Sequence, residues 1–200
     1  MISNRISVLF PLLLSGCGRS AQLEPVTSSS TILAFGASLT YGAGVSREDS
    51  YPAVLARKLG VNVVNAGVPG EITEQGVQRL PGLLEKHHPD LVLISHGGND
   101  ILRKIDAGTT KANLRRMIEM TRENGGEAVL IAIPKPALFP DAAPFYEALS
   151  AEMEVPTELD VVTRLQRNPK YKSDAIHFNS EGYALMATAV AELLEEYGAL

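Results

Sequence analysis

The sequence predicts one α/β domain, a flavodoxin-like three-layer α/β/α sandwich built on a parallel sheet. From Thr31 onward, short apolar runs alternate with longer amphipathic segments, as in a parallel sheet covered by helices on both faces. The short runs are unbroken by charge, which suits strands buried on both sides. With 200 residues, of which 45% are hydrophobic and 20% charged, the chain has the material for one soluble core.

Four apolar segments are predicted as strands, and a fifth segment is a weaker candidate. The four are Thr31 to Phe35, Val61 to Asn65, Leu91 to Ser95 and Ala128 to Ile133, and the weaker one is Leu159 to Val162. Ligands of an open α/β sheet bind at the carboxyl ends of the strands. The residues that directly follow each strand are therefore the first place to look for a functional site.

Helices with readable ends lie between these strands. Ser50 is a candidate N-cap for a helix that has Pro52 in its first turn and stops before Gly60. The segment from Glu74 to His88 has a helical pattern, in which Pro81 predicts a kink or a restart.

Two further helices are indicated by apolar residues at helical spacing. One carries Leu114, Met117, Ile118 and Thr121 and stops at Gly125; the other opens near Ser180 and carries Met186, Val190, Leu193 and Tyr197.

The start of the chain predicts an exported protein. Arg5 precedes an apolar run from Ile6 to Leu14, which is too short to span a bilayer as a helix and has the layout of a signal peptide. The following letters, LLSGC, resemble a bacterial lipobox, in which the signal is cut before a cysteine that is then lipidated. The resemblance implies a signal peptide at residues 1–16, a lipid anchor at Cys17 and a lipoprotein of the periplasm or outer membrane.

Residues 17–30 are polar and contain Pro and Ser, which predicts a tether between the anchor and a domain at residues 31–200. The alternative for Cys17 is a buried or free thiol, since it is the only cysteine and has no disulfide partner.

Composition and motifs argue against several classes of partner. The net charge of −5 gives no basic footprint for nucleic acid. The loop Gly36 to Gly44 matches neither the dinucleotide-binding nor the phosphate-binding glycine pattern, so no nucleotide cofactor is expected. His96 follows a core strand but has no Cys or second His at metal-ligand spacing, so no metal is predicted.

The positions after the predicted strands hold groups suited to nucleophilic catalysis. Ser38 follows the first strand, Gly67 the second and Asn99 the third, while Asp174 and His177 precede the last helix. A serine becomes a good nucleophile when a histidine removes its proton, and a carboxylate holds that histidine in the required tautomer. We therefore expect Ser38 as nucleophile, His177 as base and Asp174 as the group that orients His177.

Attack on an ester carbonyl places negative charge on its oxygen, which preplaced hydrogen-bond donors stabilise. The backbone N–H groups of Ser38 and Gly67 and the side-chain amide of Asn99 are the candidate donors of such an oxyanion hole. Taken singly, each residue is better explained as a turn or helix-cap residue. Their shared position at strand ends favours the functional interpretation.

These blocks resemble the SGNH branch of the GDSL-type serine hydrolases, whose four short blocks hold Ser, Gly, Asn and His in this order. The flanking sequences, such as RLPGLLEKHHPDLVLISHGGND, are similar to the bacterial acyl thioesterase, arylesterase and lysophospholipase group of that family. The resemblance runs from about Ile32 to the end of the chain. It implies hydrolysis of acyl esters or thioesters through an acyl-enzyme on Ser38, with no cofactor.

The first block departs from the family pattern, because Ala37 stands where the family has aspartate. In the family that aspartate is thought to order the loops around the oxyanion hole, so Ala37 bears on rate and rigidity more than on reaction type. Phe178 also stands where proline or leucine is usual, and we interpret it as lining the pocket.

Three alternatives stay open at this point. The substrate of the same fold could be an O-acetylated carbohydrate, although the chain has no Trp and only 6% aromatic residues. Ala37 could mark a lipoprotein with weakened or lost catalysis. The segment PKPALFPDAAPFY after the fourth strand is either a rigid surface loop or a lid over the acyl pocket.

Overall fold

The computed structural model describes residues 22–135 and 141–200. Within them, five parallel strands form one sheet in the order β2-β1-β3-β4-β5. The strands are β1 (Thr31–Gly36), β2 (Asn62–Gly67), β3 (Leu91–Ser95), β4 (Glu127–Ile131) and β5 (Thr157–Glu158). This order is that of a flavodoxin-like doubly wound sheet, and it confirms the predicted fold class.

Side chains of each central strand alternate between two apolar cores. In β1, Ile32 and Ala34 join the core on one face, while Leu33 and Phe35 join the core on the other. The first core is covered by α2 (Tyr51–Leu59), α7 (Val161–Gln166) and α8 (Ser180–Glu196). The second is covered by α3 (Thr73–His87), α5 (Ala107–Glu123) and α6 (Pro144–Met153).

The register of the strands brings three loops to one edge of the sheet. Gly36 at the end of β1 lies opposite Gly67 of β2 and Ser95 of β3. Two short helices begin just beyond this edge, α1 (Ser38–Tyr41) and α4 (Gly98–Leu102). Ser38, Gly67 and Asn99 therefore all lie at or just beyond this edge of the sheet.

The fifth strand differs from its predicted position. It consists of Thr157–Glu158. Of the segment predicted as a strand, Leu159 to Val162, the first two residues precede helix α7 and the last two open it. Glu158 explains the change, because its Oε1 accepts the backbone N–H groups of Asp160 at 2.8 Å and Val161 at 2.7 Å. The carboxylate thus satisfies free donors at the start of the helix and ends the strand.

Two helix details also differ from the sequence-based expectations. Helix α3 passes through Pro81 as one helix, with Pro81 on the exposed side, where the carbonyl that loses its partner can be solvated. Ser50 does precede α2, but its hydroxyl donates to the carbonyl of Arg47 at 2.7 Å instead of capping the helix.

Residues 22–30 pack against the domain, in contrast to the tether expected over residues 17–30. Leu23 is buried, and its N–H donates to the carbonyl of Tyr197 at 2.8 Å. The N–H of Val26 donates to Ala199 at the same distance. Leu23 and Val26 therefore belong to the folded part of the chain, while the predicted signal peptide and Cys17 lie outside the described residues.

Candidate active site

The predicted nucleophile lies at a tight passage from strand to helix. Ser38 is half-buried and opens α1 directly after β1. A Cβ on Gly36 would lie 2.2 Å from Thr40 Oγ1 and 2.6 Å from the carbonyl of Ser95, so only glycine fits here. Ala37, at the N-cap position, has no side-chain group to accept the free N–H groups of α1. Ser38 is thus presented at the sheet edge by close backbone packing.

Asp174 and His177 form a hydrogen-bonded pair, as predicted from their spacing. His177 Nδ1 lies 2.7 Å from Asp174 Oδ2. Asp174 Oδ1 accepts the backbone N–H groups of Ile176 at 2.7 Å and His177 at 2.8 Å. The His177 ring is the largest cause that holds the pKa of the Asp174 carboxyl well below its usual range, followed by these backbone donors. An ionised Asp174 keeps the proton on Nδ1 and leaves Nε2 free to act as a base.

The loop that carries His177 is held from several sides. The N–H of Ser173 donates to the carbonyl of His177 at 3.0 Å, and Gln166 Nε2 donates to the carbonyl of Ile176 at 2.6 Å. Phe178 is fully buried and packs edge-on against Tyr183, with ring centroids 5.6 Å apart. Phe178 therefore anchors the loop in the core, and its predicted role as pocket lining is wrong.

Two contacts join this loop to the segment that follows Ser38. A Cβ on Gly44, whose φ is +94°, would lie 2.1 Å from Ser173 Oγ and 3.3 Å from the carbonyl of Phe178. Tyr183 on α8 donates its hydroxyl to the carbonyl of Ala43 at 2.9 Å. The structure thus brings the Ser38 segment and the His177 loop into direct contact.

Asn99 lies in the first turn of α4, where its side-chain amide is already oriented. Its Nδ2 donates to the backbone carbonyl of Glu71 at 2.9 Å, which leaves the second N–H of the amide for a ligand. The next residue, Asp100, is buried and accepts the N–H of Thr73 at 2.9 Å at the start of α3. Asp100 therefore has a structural role in joining α4 to α3.

Gly67 is close to the site, but its N–H is engaged. It donates to Asn65 Oδ1 at 3.0 Å. A Cβ on Gly67 would lie 2.1 Å from the backbone nitrogen of Tyr41, so this glycine is required for the close approach of α1 to β2. The geometry explains the glycine by packing, and oxyanion binding would require Asn65 to release the N–H.

The same loop contains a second glycine that the sequence analysis missed. The N–H of Glu71 donates to the carbonyl of Val68 at 3.2 Å across Pro69 and Gly70, and Gly70 has a φ of +80°. This is the geometry of a type II turn, for which Pro-Gly is the sequence signal. Among the residues that the structure describes, no acceptor takes the Gly70 N–H.

Metal binding and membrane crossing find no support in the part of the chain that the structure describes. No three His, Cys, Asp or Glu side chains within residues 22–135 and 141–200 are grouped so as to hold a metal ion. His96 instead lies with Nε2 3.1 Å from Glu71 Oε2. The same residues include no helix that is both long and apolar enough to cross a membrane.

Comparison with known proteins identifies the family of the chain. The model of the GDSL-like Lipase/Acylhydrolase family matches residues 34–185. "Thioesterase 1/protease 1/lysophospholipase L1" of Escherichia coli is 31% identical over 176 residues, which cover 84% of this chain and 85% of that protein. "Esterase TesA" of Pseudomonas aeruginosa is 34% identical over 145 residues, covering 70% and 71%.

Solved structures show the same fold. The crystal structure of TesA superposes with a TM-score of 0.77 at 25% identity, over 84% of this chain and 99% of that one. The SGNH-hydrolase family esterase AlinE4 gives a TM-score of 0.64 at 26% identity, over 88% and 100%. Fold and sequence similarity agree, and the chain belongs to the GDSL-like lipase/acylhydrolase family, as a serine hydrolase that acts on ester bonds.

Proposed function

We propose that Ser38, His177 and Asp174 are the catalytic triad of this hydrolase. The observation that carries the proposal is the 2.7 Å contact between Asp174 and His177 Nδ1, on a loop packed against the Ser38 segment. Ser38 Oγ attacks the ester carbonyl carbon while His177 Nε2 takes its proton. The same proton then passes to the leaving alcohol or thiol, and water hydrolyses the acyl-enzyme by the reverse sequence.

The oxyanion of each tetrahedral intermediate is stabilised by the Ser38 N–H and by the free N–H of the Asn99 amide. Gly67, the third donor expected from the sequence, has its N–H on Asn65, whereas Gly70 three residues later has an N–H without an acceptor among the described residues. A crystal structure of the phosphonate adduct of Ser38 separates these two glycines. The donor is the one whose nitrogen lies within about 3 Å of the phosphoryl oxygen.

The substrates we propose are esters or thioesters with an apolar acyl group. Large apolar side chains are exposed on each segment that borders the site: Tyr41 on α1, Val68 after β2, Leu102 on α4 and Ile176 beside His177. Such side chains gain free energy when an acyl chain covers them, and a carbohydrate offers less apolar surface for this purpose. The thioesterase, lysophospholipase and esterase names of the relatives point to the same substrates.

The test is turnover by the full chain on p-nitrophenyl esters of increasing acyl length, with Ser38→Ala in parallel. We expect turnover that Ser38→Ala abolishes, labelling of Ser38 by a fluorophosphonate, and an optimum beyond acetate. An optimum at acetate would favour the carbohydrate O-acetylesterase alternative. Absence of both turnover and labelling would instead favour a lipoprotein without catalysis.

Ala37 is proposed to limit rate without changing the reaction. An aspartate at this N-cap position can accept N–H groups of α1, which no side chain does now. We expect Ala37→Asp to raise thermal stability or kcat. If neither thermal stability nor kcat changes, the carboxylate has no ordering role in this chain.

We further propose that the protein is exported and anchored through a lipid on Cys17. The support is the sequence alone, since residues 1–21 lie outside the described part of the chain. The test is to grow cells that express the full chain in the presence of radiolabelled palmitate, with Cys17→Ser as the matched control. The label is expected on the wild-type protein and not on the variant.

A further inference from the structure

Glu71 is an acidic residue that the mechanism does not use, and it lies between β2 and α3 with its side chain 5% exposed. A buried carboxylate is costly unless charged or polar groups surround it. Arg79 forms a bidentate ion pair with this carboxylate, with Nε 2.7 Å from Oε1 and Nη2 2.6 Å from Oε2. His96 Nε2 lies 3.1 Å from Oε2. Arg79 therefore contacts both carboxylate oxygens, and His96 contacts one of them.

The partners of Glu71 are themselves fixed. Arg79 also donates to the carbonyl of Ala66 at 3.0 Å, and its guanidinium lies over the Phe35 ring at 4.5 Å. The ring of His96 is fully buried against Phe35, with centroids 4.8 Å apart. On α3, a Cβ on Gly76 would come within 3.1 Å of the His96 ring. The glycine therefore lets the helix pack closely against this ring.

The charge balance favours an ionised Glu71. Burial raises the pKa of its carboxyl, but the interactions with Arg79 and His96 outweigh burial, and the pKa lies below its usual value. The carboxylate therefore stays charged at neutral pH, when its pairing with the guanidinium is strongest.

The backbone of Glu71 touches the proposed oxyanion hole. Its carbonyl oxygen accepts Asn99 Nδ2 at 2.9 Å. An amide with no such partner turns about its terminal bond, whereas an amide with one N–H fixed keeps the other in a set direction. Oxyanion stabilisation depends on donors that are in place before the charge develops.

We propose that Glu71 is a positioning residue for the oxyanion hole: its carboxylate, held by Arg79 and His96, fixes the carbonyl that orients Asn99. The proposal rests on the triad mechanism above. Glu71 touches no reacting atom and acts through Asn99. Loss of the charge should therefore lower kcat and leave KM almost unchanged.

The test is kcat and KM of the full chain on a p-nitrophenyl ester for Glu71→Gln, with Glu74→Gln as matched control. Glu74 is exposed on the first turn of α3, so its substitution is expected to change nothing. We expect kcat of Glu71→Gln to fall by roughly 10- to 100-fold, less than the loss of a whole oxyanion donor. KM should stay within about twofold, since the Glu71 side chain is buried and touches no substrate atom in the proposed mechanism.

A double-mutant cycle with Asn99→Ala distinguishes positioning from a general structural defect. If Glu71 acts through Asn99, Glu71→Gln slows the wild type but adds almost nothing in the Asn99→Ala background. An equal loss in both backgrounds, or no loss in the wild type, overturns the proposal. Failure of Ser38→Ala to abolish turnover is a separate result, because it contradicts the mechanism whatever Glu71 does.

Arg79→Lys provides a second route if Glu71→Gln does not fold. The substitution keeps the positive charge, removes the two-pronged geometry and changes a side chain that is 26% exposed. The same cycle with Asn99→Ala applies. We expect a smaller fall in kcat than for Glu71→Gln, and this fall should disappear in the Asn99→Ala background. A fall that persists in the Asn99→Ala background overturns the proposal.

Discussion

The two halves of the site are held in different ways. The pair Asp174 and His177 is built within four residues, and its carboxylate is 53% exposed. The opposite half, around Asn99, is held by the carbonyl of Glu71, whose buried side chain contacts Arg79 and His96. A proton-transfer pair can be assembled by one loop, whereas an oxyanion donor depends on contacts between distant segments. The two halves should therefore respond differently to substitution.

The largest effect should come from the exposed half. Asp174→Asn removes the acceptor that keeps the proton on His177 Nδ1, so the ring can present the wrong tautomer to Ser38. We expect kcat to fall by roughly 10³- to 10⁴-fold, by analogy with other serine hydrolases. The matched control is Asp160→Asn, which removes an exposed carboxylate on another segment. A fall below tenfold would show that Asp174 does not orient the base.

The buried half should give a smaller effect on the same assay. Asn99→Ala removes one of the proposed oxyanion donors, and we expect kcat to fall by roughly 10²- to 10³-fold. KM should change little, because the amide acts on charge that develops during the reaction. Asn124→Ala, at the exposed end of α5, controls for loss of an asparagine elsewhere. A fall in kcat/KM with kcat unchanged would mean that Asn99 only binds substrate.

The junction between the Ser38 segment and the His177 loop can be tested at Gly44. Gly44→Ala adds a Cβ at a φ of +94°, 2.1 Å from Ser173 Oγ, and we expect a loss of about 1–3 kcal/mol in the free energy of unfolding. Gly60→Ala is the matched control, because its φ is +68° and nothing lies within 4 Å of the added atom. Urea unfolding gives the loss in unfolding free energy for each variant. The loss in Gly44→Ala beyond that in Gly60→Ala measures the cost of crowding at Gly44. Equal losses would contradict close packing at this junction.

The smallest expected effect is on stability in acid. Because the folded pKa of Asp174 lies below its ordinary 3.8, the pair stabilises the fold above that pH and the benefit is lost as pH falls through the folded pKa. The side chain is half exposed, so the contribution should be below about 1 kcal/mol. The difference in unfolding free energy between wild type and Asp174→Asn should be constant above about pH 5 and shrink below pH 4. A difference in unfolding free energy that grows below pH 4 would contradict this prediction.

Local patterns explain why so much of the fold was predictable. Four of the five strands match the predicted segments within two residues, since each predicted segment is a charge-free run. The pairing of Asp174 with His177 was equally readable, because it needs only a spacing of three residues. Prediction failed at Leu159 to Val162, where the Glu158 side chain starts a helix that apolar content alone does not reveal.

Contacts between distant segments were not readable from the sequence. Glu71 and His96 are 25 positions apart, and neither carries a local signal for the other. Phe178 was assigned to the pocket because it follows His177, yet its ring lies in the core beside Tyr183. The Gly70 turn was within reach, since Pro-Gly predicts a positive φ, but Gly67 drew attention as the residue at the strand end.

The hydrogen bond between Leu23 and Tyr197 shows where the first described residues join the domain. Helix α8 begins three residues after His177, and its 17 residues carry the chain about 25 Å to the opposite pole of the domain. Leu23 joins the domain at that far pole. The first described residues therefore join the domain at the end of α8 that lies away from His177.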